Sequence, residues 1–96
     1  MKFLAIVDIA EGADFQRIRS ELASELKASW ALFASGALRE AYATSTPTRV
    51  VFVLEAANRA AADAALHTLP LVAAGSFRVE VIELQPFVNW SLLFGN

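Results

Sequence analysis

The segment at residues 2–9, KFLAIVDI, most constrains the fold of this chain, because it is apolar at both odd and even positions. Successive side chains on a strand point to opposite faces, so Phe3 and Val7 lie on one face while Leu4 and Ile6 lie on the other. Strands that are apolar on both faces are covered on both faces. We therefore expect a central strand of a layered domain.

Between residues 14 and 35 the apolar residues are spaced three or four apart, which predicts an amphipathic helix. Asp14 can cap its first turn through the carboxylate, and Gly36 can adopt the left-handed conformation that ends it. The large apolar residues form one stripe, which we expect to face the core. Its members are Phe15, Ile18, Leu22, Leu26, Trp30 and Phe33.

The remaining chain adds three strands and one helix. Residues 37–44 and 49–55 alternate as strands and are joined by the turn sequence TSTPT, which predicts a hairpin. Asn58 is placed to cap an alanine-rich second helix, and proline at position 70 is expected to end that helix. Residues 77–84 alternate as a last strand.

This order of elements predicts an α+β domain of the ferredoxin-like βαββαβ type, an antiparallel four-stranded sheet with two helices on one face. The first and third strands are also apolar on the face that the helices leave uncovered. We expect the sheet of a second copy to cover that face, forming a dimeric α+β barrel. Residues 1–86 would form the domain, and the apolar C-terminal tail, residues 87–96, would pack on a neighbouring subunit.

Composition supports this assembly and excludes several functions. A chain of 96 residues forms one domain, and its 56% hydrophobic content exceeds the usual value of about 45–50%. The net charge of -2 and eight scattered basic residues argue against a nucleic-acid partner. The chain has no cysteine, which excludes disulfides and thiolate sites. No apolar run approaches the roughly 20 residues that span a bilayer, so we expect a cytoplasmic protein without a membrane partner.

Several short motifs, in this order, resemble the muconolactone isomerase-like family of dimeric α+β barrels. They are SG at residues 35–36, LREAY at 38–42, VLE at 53–55 and LPL at 69–71. The ending, from EVI at residues 80–82 through PF at 86–87 to LF at 93–94, is similar to a sub-branch without an assigned activity.

The resemblance implies a proton shift on a small unsaturated acid, with a general acid/base, a cation for the substrate carboxylate and no cofactor. Two departures put muconolactone itself in doubt as the substrate. Glu40 stands where the isomerases carry a histidine, and Leu26 aligns with a lysine on their first helix.

Three neighbouring residues are the candidates for this chemistry. Arg39 could anchor a ligand carboxylate, or it could form an ion pair with Glu40 or Glu55. Glu40 and Tyr42 share one face of their strand and could act as base and hydroxyl donor, or Glu40 could be solvated on an edge strand where Tyr42 packs.

Trp30 could form the floor of a pocket for an aromatic ligand, although an aromatic residue at core spacing more often belongs to the core. His67, the one histidine, is better placed to cap the second helix than to catalyse a reaction. We predict no metal site, because Glu80 and Glu83 would face opposite sides of their strand.

Three functions remain open from the sequence. The first is a cofactor-free, isomerase-like enzyme in which Arg39 anchors a small acidic, unsaturated metabolite and Glu40 or Tyr42 transfers a proton. The second is a non-catalytic ligand-binding or assembly module of the same fold. The third is a cofactor-independent monooxygenase, which needs mainly an apolar pocket and one base.

Overall fold

The computed structural model describes residues 1–95 and has the predicted βαββαβ architecture. The strands are β1 (Lys2–Ile9), β2 (Leu38–Ala43), β3 (Val50–Glu55) and β4 (Phe77–Leu84). The helices are α1 (Phe15–Ser35), α2 (Arg59–Leu66) and the short α3 (Pro70–Ala73), and the tail forms a 3-10 helix (Val88–Phe94). The sheet order is β2-β3-β1-β4, and every neighbouring pair is antiparallel. The predicted α+β fold class is confirmed.

The ends of the helices follow the capping signals of the sequence. The Asp14 carboxylate accepts hydrogen bonds from the backbone N–H groups of Gln16 and Arg17, and Gly36 has a φ of 88° at the other end of α1. The Asn58 side chain accepts a hydrogen bond from the Ala61 N–H and so caps α2.

Proline at position 70 acts differently from the prediction. Helix α2 already ends at Leu66, and Pro70 occupies the first turn of α3. Proline suits that position because its missing N–H is not needed there and its fixed φ is already helical. The expectation that Pro70 only terminates a helix was therefore wrong.

The core lies between the helices and one face of the sheet. Strand residues of a single parity, such as Phe3, Phe52 and Leu54, are buried there against Leu66 and Leu69. Full burial of each large side chain contributes about 1.5–3 kcal/mol.

The other face of the sheet has no cover within the described chain, and we call it the open face. Its centre is apolar, and the Cα pairing places these residues side by side across the strands. The centre consists of Leu4, Ile6, Val51, Val53 and Ile82, all of them at least partly exposed. Charged residues border it at both ends of the strands.

Helix α1 packs on the core through a different side from the predicted one. Ile18, Ala28 and Leu32 turn toward the domain, whereas Leu26 and Trp30 are 60% and 68% exposed. The expectation that the apolar stripe faces the core of its own subunit was therefore wrong for most of its members. The stripe is an additional apolar surface of the subunit.

A buried carboxylate joins α1 to α3. Glu25 is only 7% exposed, and its Oε1 accepts a hydrogen bond of 2.8 Å from the Leu71 N–H. Burial raises the pKa of Glu25 above 4.5, the Leu71 hydrogen bond opposes this effect, and the nearby charge of Glu21 adds to it.

The raised pKa sets a direction for the effect of pH on stability. The folded state holds the Glu25 proton more tightly than the unfolded state does, so this carboxyl makes folding less favourable as the pH rises above about 4.5. We expect Glu25→Gln to abolish this loss, because an amide keeps the acceptor without the charge. Urea unfolding of wild type and variant between pH 4 and pH 7 checks the prediction, and parallel curves would contradict it.

Glu25→Ala tests the hydrogen bond separately. It leaves the Leu71 N–H buried without its partner, and such a group costs about 1–3 kcal/mol of unfolding free energy. Ser24→Ala, at the exposed neighbouring position on α1, is the matched control. If both variants have the same stability as wild type, the carboxylate does not support α3.

Candidate functional site

An apolar groove runs between α1 and β2 on the helix side of the sheet, and we call it the α1–β2 groove. Its volume is about 410 Å³, and no charged side chain lines it. The Trp30 and Phe33 rings stack in it, with centroids 5.4 Å apart and planes inclined by 27°. The lining residues are Leu26, Ser29, Trp30, Phe33, Leu38, Ala41 and Phe52.

Trp30 is the predicted site residue that lies in this groove. The alternative, that it belongs to the core of its own subunit, was wrong, because α1 turns its Leu32 side inward and leaves the indole 68% exposed. The ring thus offers a planar apolar surface on the helix side of the sheet, beside Leu38 and Ala41 of the edge strand β2. Such a surface can bind an aromatic or conjugated ring by offset stacking.

Glu40 and Tyr42 lie on the opposite side of the sheet, next to Val53 and Val51 on the open face. The Tyr42 hydroxyl donates a hydrogen bond of 2.6 Å to the Glu40 Oε1. This hydrogen bond and the negative charge of Glu40 raise the pKa of the Tyr42 phenol. The Tyr42 phenol therefore keeps its proton and donates it in a hydrogen bond to the Glu40 carboxylate.

Arg39 sits at an irregularity of β2, where the register with β3 shifts between Leu38 and Glu40. Its Nε donates a hydrogen bond of 2.6 Å to the Gly36 carbonyl oxygen at the end of α1. Within residues 1–95 no carboxylate lies in ion-pair distance of this guanidinium. The N-terminal ammonium chiefly lowers the pKa of Glu55, and Arg39 adds to that effect with its charge.

The four predicted site residues therefore do not converge within one subunit. Trp30 lines the α1–β2 groove, whereas the Glu40–Tyr42 pair lies behind the sheet and is exposed. A ligand in the groove cannot reach the acid/base pair of the same copy. The pair could be enclosed only if another molecule covered the open face.

His67 has the predicted capping role. It is the C-terminal cap residue of α2, and its Nδ1 donates a hydrogen bond of 2.8 Å to the Asp63 carbonyl oxygen. Among the residues that the structure describes, no three histidine or acidic side chains come together as metal ligands. No helix in residues 1–95 has the length and hydropathy needed to cross a membrane.

The structure also shows a charged cluster that the sequence did not reveal. Asp8 lies between Arg49 and Arg78 at one end of the open face, and both guanidiniums approach the same Asp8 carboxylate oxygen. The three residues are far apart in the sequence, so only the register of β1 with β4 and β3 brings them together.

Comparison with known proteins relates this chain to others through its fold alone. No protein-family model matches the sequence, and no curated protein matches it. Among solved structures, 5-chloro-2-hydroxyhydroquinone dehydrochlorinase (TftG) from Burkholderia phenoliruptrix AC1100, in complex with 2,5-dihydroxybenzoquinone, has a similar fold. The TM-score is 0.68 at 19% sequence identity, covering 88% of this chain and 94% of that chain.

The chain is thus an α+β protein with the fold of a dehydrochlorinase. This result confirms the predicted fold, and the low identity leaves the sub-branch of the resemblance untested.

Proposed function

We propose that this chain is one subunit of a homodimeric α+β barrel that binds a small planar molecule in the α1–β2 groove. The observation that carries the proposal is the exposed Trp30–Phe33 stack in a groove without a charged lining. A core residue would be covered by its own subunit, but this indole is available to a ligand. The groove is also within the size range of about 300–1,000 Å³ that is common for ligand pockets.

The fold neighbour supports the same class of ligand. That protein is a dehydrochlorinase of a hydroxyhydroquinone, and its complex contains 2,5-dihydroxybenzoquinone. We therefore propose that the ligand of this chain is a small aromatic or conjugated ring compound.

Trp30→Ala should weaken the binding of 2,5-dihydroxybenzoquinone by about tenfold or more. A stacked ring pair contributes about 0.5–1.5 kcal/mol beyond the area that it buries, and the substitution removes both contributions. Isothermal titration calorimetry measures the affinity. Because Trp30 is largely exposed, the melting temperature should change little.

Leu22→Ala is the matched control, since Leu22 is an exposed apolar residue of α1 outside the groove lining. It should bind the quinone as wild type does. Equal affinities of wild type and Trp30→Ala for the quinone would contradict the proposal that the ligand binds in the α1–β2 groove.

The second copy in this proposal covers the open face. Exposure of an apolar sheet face to water is unfavourable. Covering it with a second sheet stabilises the assembly by about 25 cal/mol for each Å² of apolar surface removed from water. The tail supports the same assembly. Its large side chains, including Phe87, Trp90 and Phe94, are 61–79% exposed, and none of them is buried.

The tail also extends the subunit. The radius of gyration is 15.5 Å, compared with about 13 Å expected for a compact domain of this length. We propose that the tail packs on a neighbouring copy. Asn96, the last residue of the predicted tail, lies outside the described residues.

A second candidate function is isomerase-like proton transfer at the subunit interface, and the 2.6 Å hydrogen bond between Tyr42 and Glu40 favours it. Covering the open face would place this pair beside the barrel interior. Glu40 would then take a proton from one carbon of a small unsaturated acid and return it to another carbon of the conjugated system, while Tyr42 donates a hydrogen bond to the intermediate enolate. Arg39 is the proposed carboxylate anchor.

The two candidates differ in what Glu40→Gln should do. If the protein only binds its ligand in the groove, this variant binds 2,5-dihydroxybenzoquinone as wild type does and has no turnover to lose. If proton transfer is the function, exchange of acidic C–H protons of an unsaturated acid with deuterated water should occur in wild type and cease in the variant. No exchange in wild type would dismiss this second candidate.

A further inference from the structure

The cluster at one end of the open face has an unusual arrangement of charges. Asp8 Oδ2 lies 3.8 Å from the Arg49 Nε and 3.5 Å from the Arg78 Nη2, while Asp8 Oδ1 accepts a hydrogen bond of 2.9 Å from the Ile9 N–H. A single carboxylate oxygen is therefore shared by two guanidiniums.

Neither guanidinium is well satisfied by this contact. Charge-assisted hydrogen bonds between nitrogen and a carboxylate are about 2.7–2.9 Å long, and both distances here are longer. Each guanidinium carries five N–H donors. The Arg49 and Arg78 side chains are also substantially exposed, so many of these donors remain available to an anion from solution.

The surroundings narrow the choice of anion. The cleft has a volume of about 330 Å³, and Ile6 supplies an apolar wall beside the charges. Glu80 also lines the cleft, so Asp8 and Glu80 together balance the formal charges of the two guanidiniums. A bound monoanion would then add one uncompensated negative charge and a dianion such as phosphate would add two, which makes the monoanion the better match. The site fits a monocarboxylate with an apolar body.

We propose that Arg49 and Arg78 form a binding site for the carboxylate of a small apolar acid at this end of the open face. The two carboxylate oxygens bridge the guanidiniums, and the apolar body of the acid lies on Ile6. The charged end of the face lies at the mouth of the proposed barrel, where the ligand can enter. All residues of the site belong to one subunit, and none of them lines the α1–β2 groove.

Benzoate is the probe, and its uncharged analogue benzamide is the control ligand. Titration of the wild-type protein, followed by the backbone amide shifts in NMR spectra, should show saturable changes at residues 8, 49 and 78. The double variant Arg49→Gln/Arg78→Gln should bind benzoate at least about tenfold more weakly, because hydrogen bonds to charged groups are among the stronger ones. Benzamide should leave the amide signals of residues 8, 49 and 78 almost unchanged in both proteins.

Arg59→Gln is the matched control, since the Arg59 guanidinium donates to the Val81 carbonyl oxygen away from this cleft. It should bind benzoate as wild type does. Unchanged benzoate affinity in the double variant would overturn the proposal. The proposal would also be overturned if the double variant changed the oligomeric state but not the benzoate affinity. That result would show that the arginines contribute to the contact between subunits.

Discussion

Ile6→Lys should dissociate the proposed dimer into single subunits at micromolar concentration. Ile6 lies at the centre of the open face, between Val51 and Glu80 on the neighbouring strands. In the proposed barrel the new ammonium would be buried in both copies, at a cost of several kcal/mol for each that a pair with Glu80 on the neighbouring strand would only partly offset. A total of about 4 kcal/mol corresponds to a thousandfold weaker dimer.

In a single subunit the same lysine would be tolerated, because its side chain can extend into water from a partly exposed position. The melting temperature of wild type should rise with protein concentration, whereas that of the variant should not. Leu22→Lys, on the exposed side of α1, is the matched control and should remain a dimer. An Ile6→Lys protein with the wild-type mass would contradict a covered open face.

Removal of residues 87–96 should lower the melting temperature by at least about 10 °C. Burying one large apolar side chain contributes about 1.5–3 kcal/mol, and a change of 1 kcal/mol shifts the melting temperature of a domain of this size by about 4–8 °C. The tail side chains are largely exposed in their own subunit and contact mainly each other, so we expect most of the stability that they supply to come from another copy. Differential scanning calorimetry measures the shift.

Two point variants refine this experiment. Trp90→Ala with Phe94→Ala should reproduce most of the loss, because these are the largest side chains of the tail apart from Phe87. Phe15→Ala removes another exposed aromatic residue, this one on α1, and should have little effect. A truncated protein with unchanged melting temperature and mass would show that the tail does not pack on a neighbour.

The elements of this fold could be predicted because their signals are local. Alternation defines the strands, and Asp14, Gly36 and Asn58 mark helix ends through hydrogen bonds or backbone conformations within a few residues. The order of the elements then leaves few arrangements, and the observed β2-β3-β1-β4 sheet is the one expected.

The orientation of α1 could not be predicted in the same way. A hydrophobic stripe shows which side of a helix avoids water, but not what covers that side. Here the stripe with Leu26 and Trp30 borders a groove, and the side with Leu32 meets the core. Burial of Glu25 was equally hidden, because its partner Leu71 is 46 positions away.

The candidate site was only partly predictable for the same reason. Residue type and spacing correctly indicated that Glu40 and Tyr42 share one face, and their hydrogen bond follows from that placement. Trp30 lies on the far side of the sheet, a relation that requires the packing of α1 on β2. The cluster of Asp8, Arg49 and Arg78 could not be predicted, because it depends on the register between the strands and the sequence alone does not determine that register.

The central claim is that two copies of this chain cover each other's open sheet faces. Sedimentation equilibrium of the wild-type protein at low micromolar concentration tests it most directly. We expect the mass of two subunits of 10.4 kDa, or of a larger even number of them. A mass of 10.4 kDa, unchanged as the concentration rises through the micromolar range, would contradict the claim.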